Sequence, residues 1–135
     1  MTGKKQEPKA HNKIVGFPSP AEDFAERDLD LNEFLIRHQA ATFFLRVHGD
    51  GLISLAGPGA GDGAILVVDR SLNPANDCLV VAILDGEFVA GRLRQIGKTL
   101  CLLRAGSGQP QPLPVNGDTD FSVWGVVTAI IKKLI

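Results

Sequence analysis

The stretch DCLVVAILDGEFVAGRL, from Asp77 to Leu93, decides the fold class. Two runs rich in Val, Ile, Leu and Phe are broken by Asp85-Gly86, a pair that favours a tight reversal, so the stretch reads as the two strands of a hairpin. The same pattern recurs outward from it. ATFFLRVHG, AILVVDR, TLCLLRA and FSVWGVVTAII are short, apolar and separated by turn residues. Between them AGPGAGDG, Ala56 to Gly63, holds four glycines and a proline and must be a loop. A helical pattern occurs once, in DLDLNEFLIRH from Asp28 to His38. There Asp30 can cap a helix with Glu33 three residues on, and Leu31, Phe34 and Leu35 share one face. IVGFPSP, Ile14 to Pro20, is extended, because its two prolines exclude helix and push their predecessors toward β geometry. The predicted fold is mainly β, with one short helix near the start.

A chain of 135 residues is one domain by length and can bury a core without staples. With 44% hydrophobic and 21% charged residues it has the make-up of a soluble globular protein. Its net charge of -1 gives no general attraction to nucleic acid or anionic membrane, so any basic contact is local. Met1 to Lys13 is polar, with four lysines and no hydrophobic pattern. This predicts a flexible arm over residues 1–13, either a solvated tail or a basic tether, ahead of a folded domain over 14–135. The N-terminus lacks the apolar stretch of a signal peptide, and the C-terminal run is too short to span a bilayer and is interrupted by Lys132 and Lys133. A cytoplasmic location with no membrane contact is expected. Cys78 and Cys101 sit in apolar runs. Buried free thiols are the favoured reading, with a disulfide between neighbouring strands as the alternative. No zinc-type Cys/His spacing or P-loop occurs, so neither metal nor cofactor is expected.

Function enters through GFPSPAEDFAERDLDLNEFLIRH, Gly16 to His38, followed in order by TFFLRVHGDGLI, ILVVDRSL, VVAILDGEF and WGVVTAIIKKL. Together these resemble the LexA/UmuD family of self-cleaving serine peptidases, in its UmuD-like form, from Gly16 to Leu134. The resemblance implies a curled, β-rich, β-clip-type fold and a homodimer. It also implies a role in the SOS response: cleavage of an N-terminal arm stimulated by a RecA–single-stranded DNA filament, and service to a UmuC-like, Y-family translesion DNA polymerase. LexA-type repressors carry a helix-turn-helix upstream. Only 15 residues precede Gly16, so no sequence-specific DNA binding is expected.

The family's chemistry needs a serine nucleophile and a lysine that takes its proton. In VHGDGLI, Val47 to Ile53, the serine position of the family's SGDSM loop is Gly51. In GEFVAGRL, Gly86 to Leu93, the lysine position is Gly91. Glycine supplies neither a hydroxyl nor an amine, and the adjacent Arg92 stays protonated and cannot serve as base. The equivalent of the scissile bond is Val15-Gly16, with a β-branched residue where the family prefers a smaller or unbranched one. The glycine-rich stretch after Gly51 is also longer than usual. These features predict a pseudo-peptidase with a vacant dyad.

Other residues admit two readings each. Ser54 and Lys98 are either a relocated dyad or ordinary surface residues, the latter favoured by their displacement from Gly51 and Gly91. His48 and Asp50 suggest a His–Asp pair. A loop histidine and a turn aspartate fit better, since no nucleophile stands nearby. The loop Gly57 to Gly63 is either a phosphate cradle or a connector, and it lacks the lysine a P-loop needs. Phe121 and Trp124 are interface anchors or core. At the level of function, an inactive accessory of a polymerase stands beside two rivals. One is an active self-cleaving peptidase whose dyad was replaced by glycine to trap the uncut form. The other is a regulator that occupies RecA filaments or a repressor partner with no polymerase.

Overall fold

The structure is a computed structural model that describes residue 25 and residues 28–106 and 110–135. Its contacts divide the chain into a unit Met1–Leu31 and a unit Asn32–Ile135, and the architecture is that of the second. The predicted arm over residues 1–13 and the Val15-Gly16 bond lie outside the described residues.

Seven strands form one antiparallel sheet: β1 (Thr42–Arg46), β2 (Ile65–Asp69), β3 (Leu79–Leu84), β4 (Glu87–Ile96), β5 (Thr99–Arg104), β6 (Gln111–Pro114) and β7 (Phe121–Ile131). Their order across the sheet is β1-β2-β7-β3-β4-β5-β6. The hairpin expected at Asp85-Gly86 is present. Leu84 pairs with Glu87, and the two turn residues have φ of 50° and 85°, the left-handed geometry that matches the twist of the flanking strands. A mainly β fold follows, as the alternation of apolar runs and turns predicted.

β3 explains why its sequence is apolar at nearly every position. Leu79 and Val81 enter one buried cluster with Leu52, Leu66 and Val68, while Val80 and Ala82 enter a second with Leu93, Leu102 and Val126. Successive side chains point to opposite faces, so both faces of the sheet are covered at this strand. β7, inserted between β2 and β3, carries two register shifts. Thr128 is the extra residue against Val67/Val68, and Trp124 the extra residue against Val81/Ala82. Between them Gly125 lies so close to β2 that a Cβ there would overlap Val68 Cγ1, which only glycine avoids.

Three elements differ from the sequence expectation. The helix α1 covers only Leu31–Leu35, and Phe34 on its supposed apolar face is 67% exposed. A second, four-residue helix α2 (Ile53–Ala56) precedes the glycine-rich loop, which then makes a 3-10 turn at Pro58–Ala60. β6 had no strand signal, because Pro112 and Pro114 cannot donate to a ladder. They are tolerated here since β6 is an edge strand.

Candidate functional site

Gly51 sits in the turn between β1 and α2. Asp50 C=O accepts from Ile53 N at 3.2 Å, and Ser54 Oγ donates to Gly51 O at 3.3 Å. The turn is braced from the glycine-rich loop. Asp50 Oδ1 accepts from Asp62 N at 2.9 Å, and Asp62 Oδ1 accepts from Gly49 N at 2.7 Å. Asp50 thus serves the backbone of a loop 12 residues away, beyond its own turn, and does not pair with His48. Ala60 is fully buried within the loop and Gly61 lies against Asp50 and Ile53, so the loop is a connector anchored at these two residues.

A cleft of about 400 Å³ opens beside Gly51. Leu52, Leu66 and Val81 give it an apolar floor, Ala90 and Ala105 form part of its wall, and Phe88 stands at its mouth. Both glycines reach this neighbourhood through β5 and the residues after it. A Cβ added at Gly51 would lie 3.9 Å from Gly106, while Gly91 pairs directly with Arg104. The sheet therefore brings the two backbones to adjacent points.

Their side-chain space is unequal. At Gly51 an added Cβ meets nothing closer than ordinary van der Waals contact. At Gly91 a Cβ would stand 2.7 Å from Leu103 O and 2.8 Å from Leu102 Cδ1, inside the hard-sphere limit. Alternation along β4 also puts position 91 on the face of Leu93, in the cluster that holds Leu102. Ala90 faces the other cluster. A side chain at 91 would be driven into apolar core and away from the wall that Ala90 forms.

The remaining candidates are structural. Arg92 donates through Nη1 to Asp77 O and through Nη2 to Leu55 O, tying β4 to α2. Lys98 lies in the β4–β5 turn, past Ile96, about 17 Å of extended strand from Gly91. Ser54 lines a separate hollow with Arg92 and Arg94. No relocated pair is assembled. Cys78 and Cys101 are both free thiols. Among the described residues no group of His, Cys, Asp and Glu gathers to hold a metal, and no helix is long and apolar enough to cross a membrane.

Sequence reasoning missed one constellation. His38 Nδ1 lies 2.6 Å from Asp69 Oδ2, and Asp69 Oδ1 accepts from Ser71 Oγ at 2.6 Å and Ser71 N at 2.8 Å. The Ser71 and His38 bonds hold the Asp69 carboxyl at about 2, well below its ordinary 3.8. Asp69 separates the hydroxyl from the imidazole, so His38 cannot take the Ser71 proton and the group is a clamp with no nucleophile. Asp69 and Ser71 stand two apart in the sequence, the one local signal of the group. His38 is 31 residues from its partner.

Comparison with known proteins gives the same answer as the motifs. The chain is 41% identical to Protein SamA of Salmonella typhimurium over 119 residues, 88% of this chain and 79% of that protein. It is 40% identical to Protein ImpA of Escherichia coli over 127 residues, 88% and 78% of the two chains. Protein MucA of Escherichia coli is 38% identical over 114 residues, 84% and 75%. The profile of the Peptidase S24-like family matches residues 12–128. That span takes in Gly51, Gly91 and the cleft beside them, and the chain belongs to the Peptidase S24-like family, the LexA/UmuD group of self-cleaving peptidases.

Proposed function

We propose that this protein is a catalytically inactive, UmuD-like accessory of the SOS response, a cytoplasmic homodimer that regulates a Y-family translesion DNA polymerase. One observation carries the reading: Gly91, read as the lysine position, has no room for a side chain. Serine–lysine hydrolysis needs the serine Oγ to lose its proton to a neutral amine as it attacks the scissile carbonyl. Gly51 offers no hydroxyl. Leu103 O and Leu102 leave no volume for a base at Gly91. A deliberate replacement of an otherwise working dyad would leave room at both positions, and room exists at Gly51 alone. That asymmetry favours natural loss over the alternative of a trapped active peptidase.

On this reading Val15-Gly16 is a vestigial cleavage site, and residues 1–13 are an arm retained on the domain over 14–135. A RecA–single-stranded DNA filament gains no self-cleavage from binding it. The test is intact mass spectrometry of the purified chain, alone at alkaline pH and then with RecA, single-stranded DNA and a slowly hydrolysed ATP analogue. An unchanged mass in both conditions is expected. A fragment beginning at Gly16 would show that a working catalytic pair exists and would sink the assignment of Gly51 and Gly91 as vacant.

A further inference from the structure

An asparagine loses its amide when the backbone nitrogen of the next residue attacks its side-chain carbon, so the fold decides which asparagines react. Four stand among the described residues. Asn73 precedes Pro74, whose nitrogen carries no proton and cannot close the ring. Asn32 lies in α1, its C=O accepting from Ile36 N at 2.9 Å, and Glu33 after it brings a Cβ against ring closure. Asn76 is pinned at both ends of the ring it would form. Its Oδ1 accepts from Gln95 N at 2.8 Å, and the nitrogen that would attack, Asp77 N, donates to Leu93 O at 2.7 Å.

Asn116 differs on each count. It stands with Gly117 in the exposed turn between β6 and β7. Gly117 has no side chain to crowd its nitrogen, and its N–H donates to no acceptor among the described residues. The turn also holds the amide. Asp118 N donates to Asn116 Oδ1 at 2.9 Å, Thr119 Oγ1 donates to the same oxygen at 3.4 Å, and Thr119 N donates to Asn116 O at 3.0 Å. Two donors on Oδ1 draw electrons from Cγ and stand where negative charge develops as a nucleophile adds.

We propose that Asn116 is a self-modification site, at which the turn drives deamidation in the folded protein. Hydroxide takes the Gly117 N proton, the nitrogen bonds to Asn116 Cγ, and the Cγ–Nδ2 bond breaks as ammonia leaves with a proton from water. Water then opens the cyclic imide. Breaking its N–Cγ bond gives aspartate, and breaking its bond to the main-chain carbonyl carbon gives isoaspartate, with the chain rerouted through Cβ and Cγ. The balance is an amide and water to a carboxylic acid and ammonia, with no change of oxidation state, and the acid is ionised at neutral pH. Isoaspartate lengthens the main chain inside a turn closed by Thr119 N and Asn116 O. That turn leads to Asp120, whose C=O accepts from Asp85 N at 2.8 Å, so the product strains the tie between the start of β7 and the β3–β4 hairpin.

The test is prolonged incubation of the full chain at mildly alkaline pH, folded and in urea, with peptide mapping of the mass gain from amide to acid. In the folded chain the gain should appear at Asn116 at least about tenfold faster than at Asn76. Urea, which dissolves the turn and frees Asp77 N, should slow Asn116 and quicken Asn76. Enzymatic methylation of isoaspartate should label the Asn116 peptide of the aged, folded protein. A Cβ at position 117 meets nothing within 4 Å, so Gly117→Ala keeps the fold and should slow Asn116 about tenfold by crowding the nitrogen. Thr119→Val removes the hydroxyl donor and should slow it about twofold. A folded chain that stays unmodified at Asn116, or that reacts first at Asn32 or Asn76, overturns the proposal. So does an Asn116 rate that is equal in urea and unmoved by Thr119→Val, because the turn would then contribute nothing.

Discussion

At the scale of single residues, two glycines that look alike in the sequence stand in opposite circumstances. Gly51 lies in an exposed turn where a Cβ would make only ordinary van der Waals contact with Gly106, so Gly51→Ser should change stability by no more than about 0.5 kcal/mol. Gly91 lies under a carbonyl that belongs to the β4–β5 ladder and against Leu102, which is fully buried. Neither neighbour can withdraw without moving β5. Gly91→Ala should therefore cost about 1–3 kcal/mol by overpacking, and Gly91→Lys more, since the ammonium would enter apolar core. Urea unfolding of the three variants checks this. Equal stability of Gly51→Ser and Gly91→Ala would mean that β5 yields freely at this point. The double variant Gly51→Ser/Gly91→Lys should remain uncut under the RecA conditions. The glycine at each position was legible from the resemblance to the family motif, because a motif reports which residue is present. The closure at Gly91 was not, because it depends on how far β5 approaches β4.

At the scale of elements, apolar runs of β-branched residues between turn signals marked out six of the seven strands. Burial on both faces of β3 also accounts for its lack of alternation. What escaped was short or nonlocal. α2 has four residues, too few to show a period. β6 contains the prolines that argue against a strand unless its place at the edge is known. The His38–Asp69–Ser71 clamp escaped for the second reason, since it joins the turn before β1 to the end of β2. Its consequence is a pH dependence with a definite sign. The Asp69 carboxyl titrates at about 2 in the folded chain against an ordinary 3.8. The ionised form is thus favoured by folding, and its contribution is fully present above the ordinary value. That contribution is lost as pH falls through the interval toward 2. Unfolding followed from pH 6 to pH 2 should show stability declining across this window, with a shallower decline in Asp69→Asn. An identical slope in the variant would show that the clamp contributes nothing to acid sensitivity.

At the scale of the molecule, the site and the core are one construction. The cleft floor at Leu66 and Val81 belongs to the cluster on one face of the sheet, and Leu102, which closes Gly91, belongs to the cluster on the other. β3 and β7 run through the middle of the sheet, and β3 sends alternate side chains into each cluster, so neither can loosen without disturbing the strand both share. This arrangement predicts a single cooperative unit over Asn32–Ile135. Leu66→Ala and Leu102→Ala should each cost about 2–5 kcal/mol, the range for truncating a buried leucine. Both should lower the midpoint of the same unfolding transition, seen alike by far-ultraviolet circular dichroism and by Trp124 fluorescence. Because the two leucines lie in different clusters, their costs should nearly add in the double variant, with coupling limited to what passes through β3. Two separate transitions, with Leu66→Ala moving only the one that Trp124 reports, would show that the faces unfold independently. The cleft could then open while the Gly91 side stays folded, and the tight packing at Gly91 would have to be explained by β4 and β5 alone.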